Sequence, residues 1–214
     1  MSNASEKTEI EKMELTPTSS QTVGPFYDLG LTGPNSCARI APSGAGQNAP
    51  EGAAGERVTL ICTVYDGEGT ALPDAMVEIW QADSRGKYNH PDDPQDKPID
   101  PEFRGFGRLS TDEFGSCIFE TIKPGRVPSW TNVAQAPHLA ISVFARGILK
   151  RLATRAYFAG DPANDEDPVL ALVPAERRET LLMVRDPAHN SAAGRAWRFD
   201  IHLTGPQETV FFDV

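Results

Sequence analysis

From Arg57 onward the sequence is written in short apolar runs, each closed by glycine, proline or aspartate, and this punctuation restricts the chain to a fold built of strands. Residues 58–65 are β-branched and apolar on both faces, as a buried strand requires. A turn at 66–69 and a second strand at 76–82 follow. Residues 107–111 and 116–122 flank the turn Asp112-Glu113-Phe114-Gly115 and read as a hairpin. In 138–146, Leu139, Ile141, Val143 and Ala145 share one face, while His138, Ala140, Ser142, Phe144 and Arg146 share the other. Residues 196–204 alternate through Trp197, Phe199, Ile201 and Leu203, and the Gly205-Pro206 turn returns the chain into 209–212. Residues 174–184 carry a helical reading, with proline in the first turn. The pattern predicts an all-β, sandwich-type domain with an N-terminal arm and one or two short helices.

A chain of 214 residues suits one such domain. Residues 1–15 read as a charged, mobile tail. Residues 16–56 read as an arm and a loop, dominated by Gly, Ala, Pro, Ser and Asn from 35 to 55, and 57–214 form the β domain. A net charge of −10 with no basic stripe argues against a nucleic-acid partner. A small anion remains admissible, because one arginine can set a local potential. Cys37, Cys62 and Cys117 are odd in number and include no CxxC pair, so neither zinc nor a disulfide framework is indicated. Cys62 and Cys117 lie in strand-like runs and are expected to pack as small apolar residues. With no signal-like layout in residues 1–12 and no membrane-length apolar run, the expectation is a cytoplasmic protein without a membrane partner.

The residues that carry chemistry stand in recognisable strings. Tyr88 follows Val77-Glu78-Ile79-Trp80-Gln81-Ala82 within Arg85-Gly86-Lys87-Tyr88. Val127 follows the Lys123-Pro124-Gly125 turn, and His138 stands two residues before Ala140 in Pro137-His138-Leu139-Ala140. With the opening Ser20-Gln21-Thr22-Val23-Gly24-Pro25-Phe26, the runs Phe144-Ala145-Arg146-Gly147 and Thr154-Arg155-Ala156-Tyr157-Phe158, and the ending Glu208-Thr209-Val210-Phe211-Phe212-Asp213, these strings resemble the intradiol ring-cleaving dioxygenases in order. The resemblance covers nearly the whole chain after Thr16 and leans towards the α chains of the family's two-chain enzymes.

In that family Fe(III) is held by two tyrosines and a His-x-His pair. Hard ferric iron favours anionic phenolate oxygen, so the donor set is chemically specific. Here the positions that match read Tyr88, Val127, His138 and Ala140, and two of them have no donor atom. The resemblance therefore implies a vestigial site, no catalytic residue in this chain, and Fe(III) held by a partner β chain. Tyr88 and His138 read better as structural residues, since their companion donors are absent. The resemblance also implies that Arg146 meets the carboxylate of a small aromatic substrate in the partner's pocket. An internal partner such as Asp83 or Glu78 is the alternative, because an unpaired buried guanidinium is costly. Thr22, Gly24, Pro25 and Phe26 would wall the same pocket, glycine allowing close approach and proline fixing the shape.

The acidic run Asp161, Asn164, Asp165, Glu166 and Asp167 lacks the spacing of a calcium loop and reads as solvated surface. His90 with Asp92 and Asp93 reads as a polar turn. Two rival readings stand beside the two-chain enzyme. One is a homomeric dioxygenase with an altered metal site, for which Tyr157 and His202 could serve only after rearrangement. The other is a sandwich module that binds without catalysing.

Overall fold

The computed structural model describes Leu31 and residues 52–131, 133–190 and 194–214. Among the described residues eight strands frame the fold: β1 (Arg57–Tyr65), β2 (Met76–Trp80), β3 (Phe106–Ser110), β4 (Ser116–Ile122), β5 (His138–Phe144), β6 (Leu152–Phe158), β7 (Leu182–Arg185) and β8 (Arg195–His202). They join in one sheet of order β3-β2-β5-β6-β7-β8-β1-β4. Most neighbours are antiparallel, while β1 runs parallel to β8 and β6 parallel to β7. Short 3-10 helices at Pro162–Glu166, Leu170–Leu172, Ala175–Leu181 and Pro187–His189 fill the connections. Among the described residues no helix is long and apolar enough to cross a membrane.

One core joins the two halves of the sheet. Val58, Leu60, Cys62 and Val64 of β1 and Phe119 of β4 pack with Val77, Ile79, Leu139, Ile141 and Val143 of β2 and β5. The Leu139, Ile141 and Val143 face of β5 is thus the core face, and β1 buries Val58, Leu60, Cys62 and Val64 there, while its other face alternates buried Thr59 and Thr63 with half-buried Arg57, Ile61 and Tyr65. A second cluster, Ala136, Tyr157, Leu170, Val173 and Leu181, covers part of the opposite face, and this is the side on which the site lies. Cys62 and Cys117 face each other across the β1–β4 ladder as free, buried thiols.

Three expectations are corrected. The turn at 112–115 is present, with Asp112 Oδ1 accepting from the Phe114 and Ser116 amides at 2.9 Å each, but its flanks are not a hairpin. β3 pairs with β2 and β4 with β1, at opposite edges of the sheet. Thr111, whose amide donates to Ala75 O at 2.9 Å, latches one flank to β2, whereas the Val64 amide donates to Gly115 O at 2.9 Å and draws the other to β1. The helix expected at 174–184 is a 3-10 helix over Ala175–Leu181, and the chain then extends into β7, which bridges β6 and β8. The second strand ends at Trp80 rather than 82: its ladder with β3 stops at the Phe106 pair, since Gly105 just beyond takes φ +74°, and Gln81 aims its carboxamide at the Ile122 carbonyl (2.9 Å) and the Thr121 hydroxyl (2.7 Å). The 1–15 tail, Cys37, and the arm residues Thr22, Gly24, Pro25 and Phe26 lie outside the described residues.

Candidate functional site

Two backbone segments set the frame. The Arg85–Tyr88 segment crosses directly over the Lys123-Pro124-Gly125 turn, and the Gly125 amide donates to Asp83 O at 2.9 Å. A Cβ on Gly125 would stand 2.5 Å from the Gly86 nitrogen and 2.6 Å from Ser84 O, and Gly86 itself has φ +75°. Glycine at both positions is therefore what brings Tyr88 and Val127 to one cleft.

Asp83 Oδ1 accepts from the Arg85 and Lys87 amides at 2.8 and 2.9 Å, fixing the turn. Asp93 then accepts from the Tyr88 amide at 2.8 Å and pairs with buried Lys87 at 3.2 Å. Burial pushes the Asp93 carboxyl up, but the Gln95 and Tyr88 amides and the Lys87 ammonium outweigh it and hold it below the usual carboxylate range. The polar turn expected at His90, Asp92 and Asp93 is thus also the brace under Tyr88.

The Tyr88 ring stacks on Trp80 at 5.8 Å with planes 13° apart. With His90, Val127, Pro128 and Gln135 these rings line a cleft of about 330 Å³. Burial raises the Tyr88 phenol, the Arg155 charge opposes this, and Asp93 adds to it. The phenol is consequently neutral at physiological pH.

β5 supplies the other two positions on its face away from the main core. His138 is 4% exposed, and its Nδ1 lies 2.8 Å from Ala136 O. A carbonyl only accepts, so Nδ1 carries the proton and Nε2 is the acceptor nitrogen. Burial, reinforced by Arg155 and opposed by the Ala136 carbonyl and Asp167, lowers the His138 pKa to about 4. Ala140 stands between Trp80 on β2 and Arg155 on β6, each its direct ladder partner.

Arg155, Gln135 and Asp167 complete the site, and the sequence reading assigned no role there to any of them. Arg155 Nη1 donates to Gln135 Oε1 at 2.6 Å and reaches Tyr157 Oη at 3.5 Å, with Phe212 6.0 Å from the guanidinium. Tyr157 in turn donates to Asp167 Oδ1 at 3.3 Å. Asp167 is fully buried and also accepts from the Ala136, Val169 and Leu170 amides at 2.6, 2.8 and 2.7 Å. This corrects the reading of the acidic run as wholly solvated.

Tyr157 is the ladder partner of His138, its ring 5.5 Å away. It is nonetheless engaged, its phenol pushed up by burial, with Arg155 opposing and Asp167 adding. His202 instead stacks on Tyr65 at 4.8 Å. The signal for Tyr157 and Arg155 was the short β5–β6 connection, whose antiparallel register sets residues 157 and 155 opposite 138 and 140.

A ferric ion does not fit this donor set. Val127 and Ala140 offer no donor atom, the two candidate donors are a neutral phenol and a neutral imidazole, and a fixed cation acts on both. Among the described residues no group of three or more His, Cys, Asp or Glu could hold a metal.

Arg146 lies just past the other end of β5, eight residues from His138, a span of roughly 26 Å at strand rise. Its side chain is 62% exposed and pairs with Asp74. The internal partners expected for it are otherwise engaged, Asp83 with Arg85 at 3.2 Å and Glu78 with Arg108 at 2.7 Å. It is a surface arginine, not a buried one.

Comparison with known proteins places the chain in a family. A family described as "Dioxygenase" matches residues 31–205. The chain is 41% identical over 209 residues to the protocatechuate 3,4-dioxygenase alpha chain of Burkholderia cepacia, covering 94% of this chain and 98% of that one. To the beta chain from the same organism it is 38% identical over 160 residues, covering 72% and 67%. An intradiol ring-cleavage dioxygenase from Tetranychus urticae shares the fold with a TM-score of 0.57 at 18% identity, over 92% of this chain and 98% of that one.

Proposed function

This chain belongs to the intradiol ring-cleavage dioxygenase family, and from that premise we propose that it is the α subunit of a protocatechuate 3,4-dioxygenase, a heteromer whose β chain holds the Fe(III). The assembly adds both atoms of dioxygen to protocatechuate between its hydroxylated carbons, giving 3-carboxy-cis,cis-muconate. The observation that carries the division of labour is the donor set of this chain. Two positions have no ligating atom, and an arginine stands across the ladder from one of them, Ala140.

Within this reading the two halves of the sheet act as the layers of a transthyretin-like β-sandwich, and residues 16–56 are the arm that meets the partner. Arg146 and the arm residues Thr22, Gly24, Pro25 and Phe26 line the β chain's substrate pocket. The exposure of Arg146 supports this role. A surface guanidinium with one ion pair can exchange that pair for a substrate carboxylate without leaving a buried charge behind.

Expression of this chain with and without its β partner tests the assignment. Alone it is expected to be colourless, without stoichiometric iron or ring cleavage, because tyrosinate-to-ferric charge transfer needs phenolate coordination. Together the two chains are expected to give a coloured complex with one iron per αβ pair. A coloured, iron-replete, active homomer of this chain would overturn it.

A further inference from the structure

We propose that the Arg155 guanidinium stands in the place of the metal cation, so that this chain's relic site is neutralised from within and closed to iron by a positive charge built into the sequence. The inference rests on the reading of the site as vestigial and goes further by naming what replaced the metal. Three observations converge on it.

The first is position. Arg155 is the direct ladder partner of Ala140, one of the two positions without a donor, and Ala140 separates it from Trp80. Cross-strand partners have Cβ atoms about 5 Å apart, so alanine leaves side-chain space beside it that an arginine on the neighbouring strand can fill.

The second is electrostatic. The Arg155 guanidinium reaches the Tyr157 hydroxyl at 3.5 Å, and the Tyr157 ring lies 5.5 Å from that of its ladder partner His138, so the positive charge stands beside the phenol and imidazole of this side of the sheet. A metal ion would act on the same side chains with the same sign.

The third is anchoring. The Gln135 carboxamide at 2.6 Å, the Tyr157 hydroxyl at 3.5 Å and the Phe212 ring hold the guanidinium in place, and Gln135 itself lines the cleft. Arginine is protonated at every accessible pH, so the cation needs neither uptake nor loading. An entering ferric ion would meet a like charge that cannot dissociate.

Restoring the missing donors alone should therefore not restore metal. The test uses the chain assembled with its β partner and counts iron per αβ pair by mass spectrometry, alongside the tyrosinate-to-ferric absorption. The wild type and Val127→Tyr/Ala140→His are both expected to hold one iron per pair. Adding Arg155→Gln, which removes the charge but keeps a polar group beside Gln135, is expected to raise the count to two and deepen the colour.

The inference is overturned, with the functional assignment intact, if the donor-restored chain holds two irons while Arg155 remains, or if the triple variant stays at one. A second iron already in the wild type overturns both together. Should the Val127→Tyr chain fail to assemble, cobalt(II) titration of Ala140→His with and without Arg155→Gln makes the same comparison with three donors. At least tenfold tighter binding is expected without the arginine, and equal affinity refutes the idea.

Discussion

At its start β5 carries buried His138, its ring beside Tyr157 of the second apolar cluster and held neutral, whereas just past its end Arg146 is exposed and paired with Asp74. The two residues lie on one segment, yet their chemistry is set by opposite conditions. Burial at the first end ties each polar group to a partner, because an orphaned one costs more than its bond contributes. Exposure at the second leaves the charge cheap to hold and free to be redirected. Under the proposed function, a relic metal site persists as packing at the sealed end, and the substrate-binding role falls where desolvation imposes little constraint.

The largest expected effect falls at the buried end. Asp167→Ala removes the acceptor of three backbone amides and the Tyr157 hydroxyl, and should destabilise the chain by about 3–5 kcal/mol in urea denaturation of the complex. A loss below about 1 kcal/mol would mean that water replaces the carboxylate and that this end is no better sealed than the other.

The next effect is a pH dependence at the same end. The folded pKa of His138, about 4, lies below the ordinary value of 6.5, so the unfolded chain takes up the proton first as pH falls. Its contribution is complete above pH 6.5 and is lost as pH drops through 6.5 towards 4. The full span is about 3 kcal/mol. Comparing denaturation midpoints of wild type and His138→Leu across this window isolates the term. Parallel pH profiles would show that His138 is solvated in solution, and iron content and turnover should be unchanged by the substitution.

At the exposed end, Arg146→Ala should move stability by no more than about 0.5 kcal/mol. Apparent affinity for protocatechuate should fall about 10–100-fold, the worth of a charge-assisted bond of about 1.5–3 kcal/mol. Catechol, which has no carboxylate, should be affected little, and iron content should hold. Equal losses for both substrates would make the arginine an interface residue and erase the contrast between the ends.

The smallest effect is expected of Tyr88→Phe. The stack on Trp80 depends on the ring rather than the hydroxyl, so stability should change by less than about 0.5 kcal/mol and the complex should keep its colour. Bleaching of the complex would reveal metal on this chain.

Much of this was legible before any coordinates. The strands at 58–65, 116–122, 138–146 and 196–204 are recovered within a residue or two, since β-branched composition and alternation are local properties. The site was half legible: Tyr88 and His138 were picked out by their strings, but Arg155, Gln135 and Asp167 were not read into it. Asp167 illustrates why. Its neighbours Asp165 and Glu166 made the run look solvated, and only the Ala136, Val169 and Leu170 amides converging on it, one of them 31 residues away, bury it.

What the sequence by itself determined is the chemistry that no fold can supply. Valine at 127 and alanine at 140 lack donor atoms in any environment. What only the tertiary structure decided is adjacency: that the flanks of the 112–115 turn part to opposite sheet edges, that Tyr157 and Arg155 face His138 and Ala140, and that Arg146 stays in solvent. The reason is that side-chain identity and local propensity belong to a residue and its near neighbours. Strand pairing and burial are instead set by which distant segments, once brought together, offset the entropy of closing the loops between them.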